Sequence, residues 1–461
     1  MKTLHFLYVL AFNNDALIPE IWAQEALMLL ENNMVMGQLV HRDFSNDIAN
    51  YGDTVNAHRP DERRPTRKTD ADEVDSTATS STNVPVVLNQ HLYDSFIIKD
   101  GEESKTFKDL VNLHLTPTVL GFAETVDQIL IGNVYQFMNG DAVGKLGTPV
   151  GKTTMTQIRD TANQRRMPQE GRNLVIPSPM EASFLDTDLF VSAEKVGDNG
   201  TALRNGSLGR KFGIQTFMDQ NAPSIGAGNT VRTGAINAGN LTPGSTVLTV
   251  DGITGAVVAG TWITIAGDMT PHLVLASVGG TTPTQLTIAA PGLRHAILDN
   301  AVITIYNPGA INLAAGYDAG YAKDLVVDGF SVAPKVGQML TIGGTAGARY
   351  AAVSSRNGPT TTSLLLDRPL EVAAADDAVV GIGPAGNYGL CFNRNALALV
   401  SRPLAVPRQG VGAMGFTASY KGLAMRVVIT YDGKAQGHRV TLDMLLGTKV
   451  LDPRLGFPVF G

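Results

Sequence analysis

TVLGFAETVDQILIGNVYQF, residues 118–137, is the stretch on which the reading of this 461-residue chain turns. Val119, Phe122, Val126, Ile129, Leu130, Asn133 and Phe137 recur every three or four positions, the period of a helix with one buried face. Thr125, Asp127 and Gln128 fall on the opposite side of that projection and are expected to face solvent. Twenty residues at 1.5 Å each make a rod of roughly 30 Å. Pro117 stands where a proline opens a helix without interrupting it. A long charged segment comes before this helix, and a glycine-rich, strand-forming sequence comes after it.

The length is enough for about three domains and a sizeable core. Charged residues are 17% and aromatics 6% of the chain, with 49 Gly and 23 Pro, a composition that favours short strands and turns. The net charge of −6 argues against a broad basic face for nucleic acid. Cys391 is the only cysteine, so an intrachain disulfide and a four-thiolate metal site are both excluded, and synthesis in a reducing cytosol is expected. The opening MKTLHFLYVLAF has the Lys2 and apolar run of an export signal. It is short, contains His5 and lacks a small-x-small cleavage site, and is therefore read as an apolar arm. No run reaches the roughly 18 apolar residues of a membrane span.

Residues 16–40 have helical period, with Leu17, Ile18, Ile21, Trp22, Leu27, Leu30 and Met34 on a wide apolar stripe; Asp15 is the expected cap, and Gly37 weakens the far end. Residues 44–100 read as a long hairpin. GDTVNAHRP leads in, Arg63, Arg64, Arg67 and Lys68 precede Asp70, Asp72, Glu73 and Asp75, STATSST forms the tip, and VPVVLNQHLYDSFII returns as a strand. Such charges are a solvated loop or a pairing surface for a neighbouring copy. Trp22 and Leu27, with no core close by in sequence, are further candidates for inter-subunit contact. Residues 153–166 read as a second helix, RNLVIPSP as a buried strand, PMEASFLDTD as a short helix, and 207–221 as a turn and strand.

From 221 to 386 helical period disappears and an internal repeat emerges. VDGITGAVVAGTWITIAG, beginning at Val250, matches VDGFSVAPKVGQMLTIGG, beginning at Val327, at an offset of 77 residues. Two copies of a β module of about 75 residues are too few for a solenoid and read as a duplicated insertion. Core sequence resumes with NYGLCFNRNALALVSRPLAVP, and RVVITYD and HRVTLDMLLGTKVLDP close the chain as a strand pair.

Chemical motifs are sparse. GIGPAG, 381–386, spells G-x-G-x-x-G, yet Pro384 and the strand-like residues after it leave no helix to receive a pyrophosphate. GKTT, 151–154, lacks the first glycine of a phosphate loop, because position 146 is Leu. The eight histidines show no metal-ligand spacing, and there is no G-x-S-x-G. No catalytic residue, cofactor or metal ligand is assigned, and the sequence points to a structural protein rather than an enzyme.

The order of parts resembles the major capsid proteins of tailed phages with the HK97 fold, and among them the P22-like coat proteins that carry an inserted β domain. The correspondence rests on the helix at 118–137, NLVIPSPMEASFL, KFGIQTFMDQN followed by an insertion, NRNALALVSRPLAVP, and GTWITIAG. It implies an α+β fold with an N-terminal arm with helix (1–43), an extended loop (44–100) and a peripheral domain with the spine helix (101–171). A first part of the axial domain (172–220), an inserted all-β domain with two tandem repeats (221–386) and a return with C-terminal strands (387–461) complete it. Val119, Phe122, Val126, Ile129 and Leu130 would form the spine-helix core. The implied function is self-assembly through hexamers and pentamers into an icosahedral shell in the host cytoplasm. The implied partners are a scaffolding protein, a portal, packaged double-stranded DNA held without sequence-specific binding and a decoration protein, with no membrane. The second module departs from that family's single insertion. An encapsulin-like compartment shell, a β-rich surface or tail protein and an unrecognised enzyme are the alternatives from other classes.

Overall fold

The computed structural model describes residues 19–42, 44, 50–60, 65, 67–70, 81–99, 101, 111–188, 206, 208–226, 231–343, 348–358, 361–408 and 412–461. The α-helices among the described residues are α1 (Pro19–Asn33), α2 (Met36–Leu39), α3 (Thr116–Gly132), α4 (Lys152–Gln164) and α5 (Ser178–Leu185). The stretch read as one helix over 118–137 is α3 followed by a tighter 3-10 segment, Asn133–Asn139. Val119, Phe122, Val126, Ile129 and Leu130 are all buried.

The single helix expected over 16–40 is instead α1 and α2, separated by an elbow at Met34–Val35. The break has a polar cause. The backbone N–H groups of Val35 and Gly37 donate to the Asp127 carboxylate at 2.7 and 3.1 Å, and bonds to a side chain on another helix replace the continuing ladder. Asp15, Leu17 and Ile18 lie outside the described residues. Glu31 and Arg42 close the elbow with a bidentate pair at 2.7 and 3.1 Å, to which Lys421 adds a contact at 3.4 Å.

Behind α1 stands an antiparallel sheet built on the fourteen-residue strand Gly437–Val450. Leu423–Asp432 and Leu397–Arg402 pair with successive parts of that strand, Ala413–Tyr420 extends the sheet beyond Leu423–Asp432, and Gln90–Lys99 pairs with residues 437–446. The return of the hairpin therefore divides. Ser81–Val87 pairs back on Thr54–Pro60, and Gln90–Lys99 leaves to join the large sheet. Leu88 marks the division: it is buried, its N–H donates to Asp53 O at 2.8 Å and its carbonyl accepts from Gly52 N at 2.8 Å.

A second sheet runs Val143–Gly144, Gly456–Phe460, Gly386–Asn393, Arg172–Ile176, Ile214–Met218 and Arg210–Lys211, with two parallel pairs, 172–176 with 214–218 and 456–460 with 143–144. Alternation divides its residues between two cores. Leu174, Ile176, Cys391, Phe457 and Val459 pack with Met155 and Ile158 of α4 and Met180 and Phe184 of α5. Val175, Leu390, Phe392 and Phe460 belong with Tyr135 and Phe137 of the 3-10 segment. The last strand, Gly456–Phe460, adds to this sheet beyond the strand pair expected at the C-terminus.

Between Ile214–Met218 and Gly386–Asn393 of that sheet lie two closed six-stranded barrels. The first uses Val231–Ile236, Val247–Asp251, Trp262–Ile265, His272–Val278, Gln285–Ile288 and Val302–Tyr306; the second uses Gly309–Ile311, Leu325–Asp328, Met339–Ile342, Arg349–Asn357, Thr362–Leu366 and Val379–Ile382. Numbered within each barrel, both run 1-2-5-4-3-6 around the closure. The repeated V-D-G, at 250–252 and 327–329, ends strand two in each, and the repeated Thr-Ile pairs lie in strand three. The fourth strand carries a register shift in both, between Val274 and Ala276 and between Ala352 and Ser354. Each barrel has its own apolar core.

The barrels meet where Trp262 Nε1 donates to Thr341 Oγ1 at 3.1 Å, and the Tyr135 hydroxyl ties the second barrel to the 3-10 segment through Gly337 O at 2.5 Å. At the end of α3 a Cβ on Gly132 would stand 2.8 Å from the Ala351 side chain, so only glycine lets this barrel approach the helix so closely. Val126→Asp places a charge among apolar side chains at the centre of α3, a change that costs several kcal/mol. Expression of this variant beside Leu120→Ser, at an exposed position of the same helix, should give insoluble protein for the first and normal soluble yield for the second.

Candidate functional site

The hairpin of Thr54–Pro60 and Ser81–Val87 is a two-stranded ribbon that pairs with no third strand among the described residues. Its register runs from Thr54 opposite Val87 to Pro60 opposite Ser81. Among the described residues, apolar packing anchors the base. Val86 and Leu88 pack with Ala398, Val400 and Leu445, and Val55 lies against them. A Cβ on Gly447 would fall 2.3 Å from the Val87 carbonyl oxygen, so the ribbon's foot lies directly on the long strand. Farther out, a side-chain bond from Asn83 Nδ2 to Asn56 Oδ1 at 3.0 Å joins the two strands.

The charged candidates divide by location. Arg63, Arg64, Asp72, Glu73 and Asp75 lie outside the described residues. Arg67, Lys68 and Asp70 are exposed, and no ion pair joins them to another described residue. Trp22 and Leu27, taken from sequence as inter-subunit candidates, are corrected by the structure. They are 0% and 2% exposed, packed in the core that α1 shares with α3 and the large sheet, so they have no surface to offer a neighbour. Beside the ribbon's foot, a cleft of about 780 Å³ opens between Gln90–Lys99, α3 and the second barrel, with Tyr51, Tyr93 and Tyr321 among its walls.

The expected solvent face of α3 also needs correction. Thr125 and Gln128 are half-buried, and Asp127 is 1% exposed because the elbow covers it. Burial, and after it the charge of Asp219, raises the Asp127 carboxyl to about 7, against the N–H groups of Val35, Gly37 and Met36 that act to lower it. A carboxyl raised in the folded state contributes stability that is complete below its unfolded pKa near 4 and is lost as pH rises through about 7.

A further polar centre left no mark in the sequence spacing. Asp268 in the first barrel accepts from His272 Nε2 at 2.6 Å, His295 Nδ1 at 2.6 Å, the Thr270 hydroxyl at 3.0 Å and the backbone N–H of Arg294 at 3.2 Å. Burial acts to raise this carboxyl, but the two histidines outweigh it and hold the pKa at about 2. Around it the barrel is clasped to the frame. Arg294 Nη2 donates to Met138 O at 2.8 Å, Leu146 N donates to Met269 O at 2.8 Å, and Lys145 Nζ donates to Gly267 O. His272 and His295 are 23 residues apart, so only the barrel's closure brings them to one carboxylate.

No group of His, Cys, Asp and Glu among the described residues is arranged to hold a metal ion. GIGPAG joins the end of one strand to the start of the next, and no helix begins there. The Cys391 thiol is buried and pushed up to about 12, outside the range of a reactive thiolate. No described helix is long and apolar enough to cross a membrane. Replacing Asp268 with Asn removes a charged acceptor from four donors and should lower stability by roughly 3 kcal/mol near neutral pH. Because the folded-state pKa is depressed, the difference from wild type should hold above about pH 4 and shrink toward pH 2 in acid-unfolding curves.

No protein-family model matches the sequence, and no curated protein matches it. Among solved structures, the chain is similar to one of Mycobacterium phage Che8, at 11% identity over 92% of this chain and 90% of that one, with a TM-score of 0.39. A capsid structure of the cyanophage P-SCSP1u is similar at 11% identity over 93% and 88%, TM-score 0.41. The mature capsid of bacteriophage PhiM1 is similar at 8% identity over 91% and 83%, TM-score 0.38.

Proposed function

We propose that this chain is the major capsid protein of a tailed double-stranded DNA phage, a coat subunit that assembles through hexamers and pentamers into an icosahedral shell around the genome. The observation that carries this reading is the ribbon of Thr54–Pro60 and Ser81–Val87, which among the described residues is seated at its foot alone. A two-stranded hairpin in water is marginal by itself and gains its stability from a surface to lie on. No described part of this chain provides one beyond the foot, and in a shell a second copy would.

The order of parts supports the same reading. A helical arm, the ribbon, the long α3, a sheet of long antiparallel strands and a second sheet interrupted by barrels follow the sequence of an HK97-type subunit. In these terms α1 is the helix of the arm, α3 and the large sheet belong to the peripheral domain, and the second sheet with α5 is the axial domain, against which α4 of the segment 101–171 packs; the paired barrels are an inserted domain between the strands of that second sheet. Interfaces in such shells commonly exceed about 2,000 Å² in total. The net charge of −6 suits a container into which DNA is driven by a motor and held without sequence-specific contact. Scaffolding protein, portal and decoration protein are the further partners this role requires, the virion is its location, and the subunit has no enzymatic part.

Expression of the chain, alone and with a scaffolding partner, followed by sedimentation and negative-stain imaging, should give capsomers or closed particles. A compact monomer under every condition counts against a shell of any kind. Particles that form around a co-expressed enzyme, without scaffold or portal, favour the compartment-shell alternative. Reversing Arg63, Arg64 and Arg67 to Glu should leave the subunit soluble and folded while reducing particle yield. Each exposed pair is worth only about 0–1 kcal/mol, but every contact recurs throughout the shell. Normal particles of normal thermal stability from this triple variant assign those arginines to a solvated loop.

A further inference from the structure

Three separate parts of the chain meet around two buried carboxylates, Asp127 and Asp219. Asp127 projects from the middle of α3. Above it lies the elbow between α1 and α2, whose Val35 and Gly37 N–H groups donate to its two oxygens. Beside it lies the turn after Ile214–Met218, the segment that leads to the first barrel, and this turn carries Asp219. Asp219 is 2% exposed; its Oδ1 accepts from Asn221 N at 2.8 Å, while its Oδ2 is buried with no hydrogen-bond partner. Gln128, one residue along α3, reaches the same turn through Asn221 Oδ1 at 3.4 Å.

Among the described residues no ion pair reaches either carboxylate. The charge of Asp219 acts on Asp127 in the raising direction. The elbow presents only backbone N–H groups, and Gln128 and Asn221 are neutral. Glu31 of α1 is committed to Arg42 and Lys421. Two buried carboxylates without a cation cannot both be ionised cheaply, and a proton kept on one of them relieves both the repulsion and the burial of charge. Because Oδ2 of Asp219 accepts from no donor, a proton placed there displaces no hydrogen bond, whereas both oxygens of Asp127 already accept from backbone N–H groups.

We propose that Asp127 and Asp219 form a proton-holding latch that fastens the N-terminal helical unit and the approach to the barrels onto α3, and that losing the proton loosens the elbow. The raised pKa of both carboxyls has the sign this requires, with the latch closed on the acid side and weakened as pH rises. The proposal does not depend on the shell reading, since it concerns one chain.

Hydrogen exchange at the amides of Val35 and Gly37, corrected for intrinsic rate, tests it at about pH 6 and about pH 8. In wild type, protection of these two amides should fall several-fold at the higher pH while α3 stays protected. Asp219→Asn keeps the shape and the acceptor for Asn221 but removes the competing charge, so protection at about pH 8 should be retained and the thermal midpoint there should rise above wild type. Asp127→Asn should show weak protection at both pH values, with no slope between them. Equal protection at the two pH values in wild type overturns the proposal. So does an Asp219→Asn protein that keeps the wild-type pH slope, or one that melts lower than wild type by the same amount at both pH values, since that is what a merely structural Asp219 predicts.

Discussion

The buried surface of α3 fixes the position of almost everything else. Along one side Val119, Phe122, Val126 and Leu130 join the core that contains Trp22 and Leu27 of α1 and Val427, Leu442 and Met444 of the large sheet. On another side Asp127 holds the elbow. At the far end Gly132 admits the second barrel, and the 3-10 segment beyond it packs into the second sheet and accepts Arg294 and Arg349 at its carbonyls. Apolar side chains of this size are worth about 1.5–3 kcal/mol each when fully buried, so the contacts of one helix rival the whole margin of about 5–15 kcal/mol that a domain usually has. Only a narrow outer face with Leu120, Gly121 and Glu124 is left exposed, and on the covered side the charged Asp127 is held where backbone donors converge on it.

Local periodicity was therefore readable and its supposed polar face was not. Val126 and Ile129 could be placed from spacing, because apolar side chains at helical intervals leave few other arrangements. Asp127 could not, because its burial is decided by an elbow more than ninety residues away, and nothing in the sequence near Val35 announces that its N–H will point at a carboxylate. The same limit explains the return of the hairpin. VPVVLNQHLYDSFII is one continuous strand by composition, and the partner that takes its second half, residues 437–446, lies at the other end of the chain. The repeat at 250 and 327 shows the opposite case: strand order and register depend on residues within one module, so similar sequence at a 77-residue offset produces the same closure twice. The bridge from His272 to His295 through Asp268 lies within a barrel too, but it is side-chain chemistry at its closure and leaves no periodic trace.

The surface divides in a corresponding way. Trp22, the aromatic that looked available for a neighbour, is consumed by the chain's own core, while Tyr93, read only as part of a strand, is 73% exposed at the mouth of the cleft beside the ribbon. The residues that remain for contact with other molecules belong to segments with little core, where sequence gives composition but no geometry. A chain that buries its large apolar side chains and extends thin, polar, weakly anchored segments confines its contacts with other molecules to those segments.

The barrels also have a consequence for time. Arg172–Ile176 pairs with Gly386–Asn393 across more than two hundred residues of chain, with Arg172 opposite Asn393. Pairings of such separation are slow to find in an unfolded chain, since the entropy of closing the loop must be lost before any contact forms. Each barrel, by contrast, closes on contacts within its own seventy-odd residues. Once residues 231–382 have condensed into two compact bodies, the chain left to order between Ile176 and Gly386 is residues 177–230 and the few residues before Gly386, about a quarter of the original span. The second sheet is then assembled by docking and no longer by a search through a long coil.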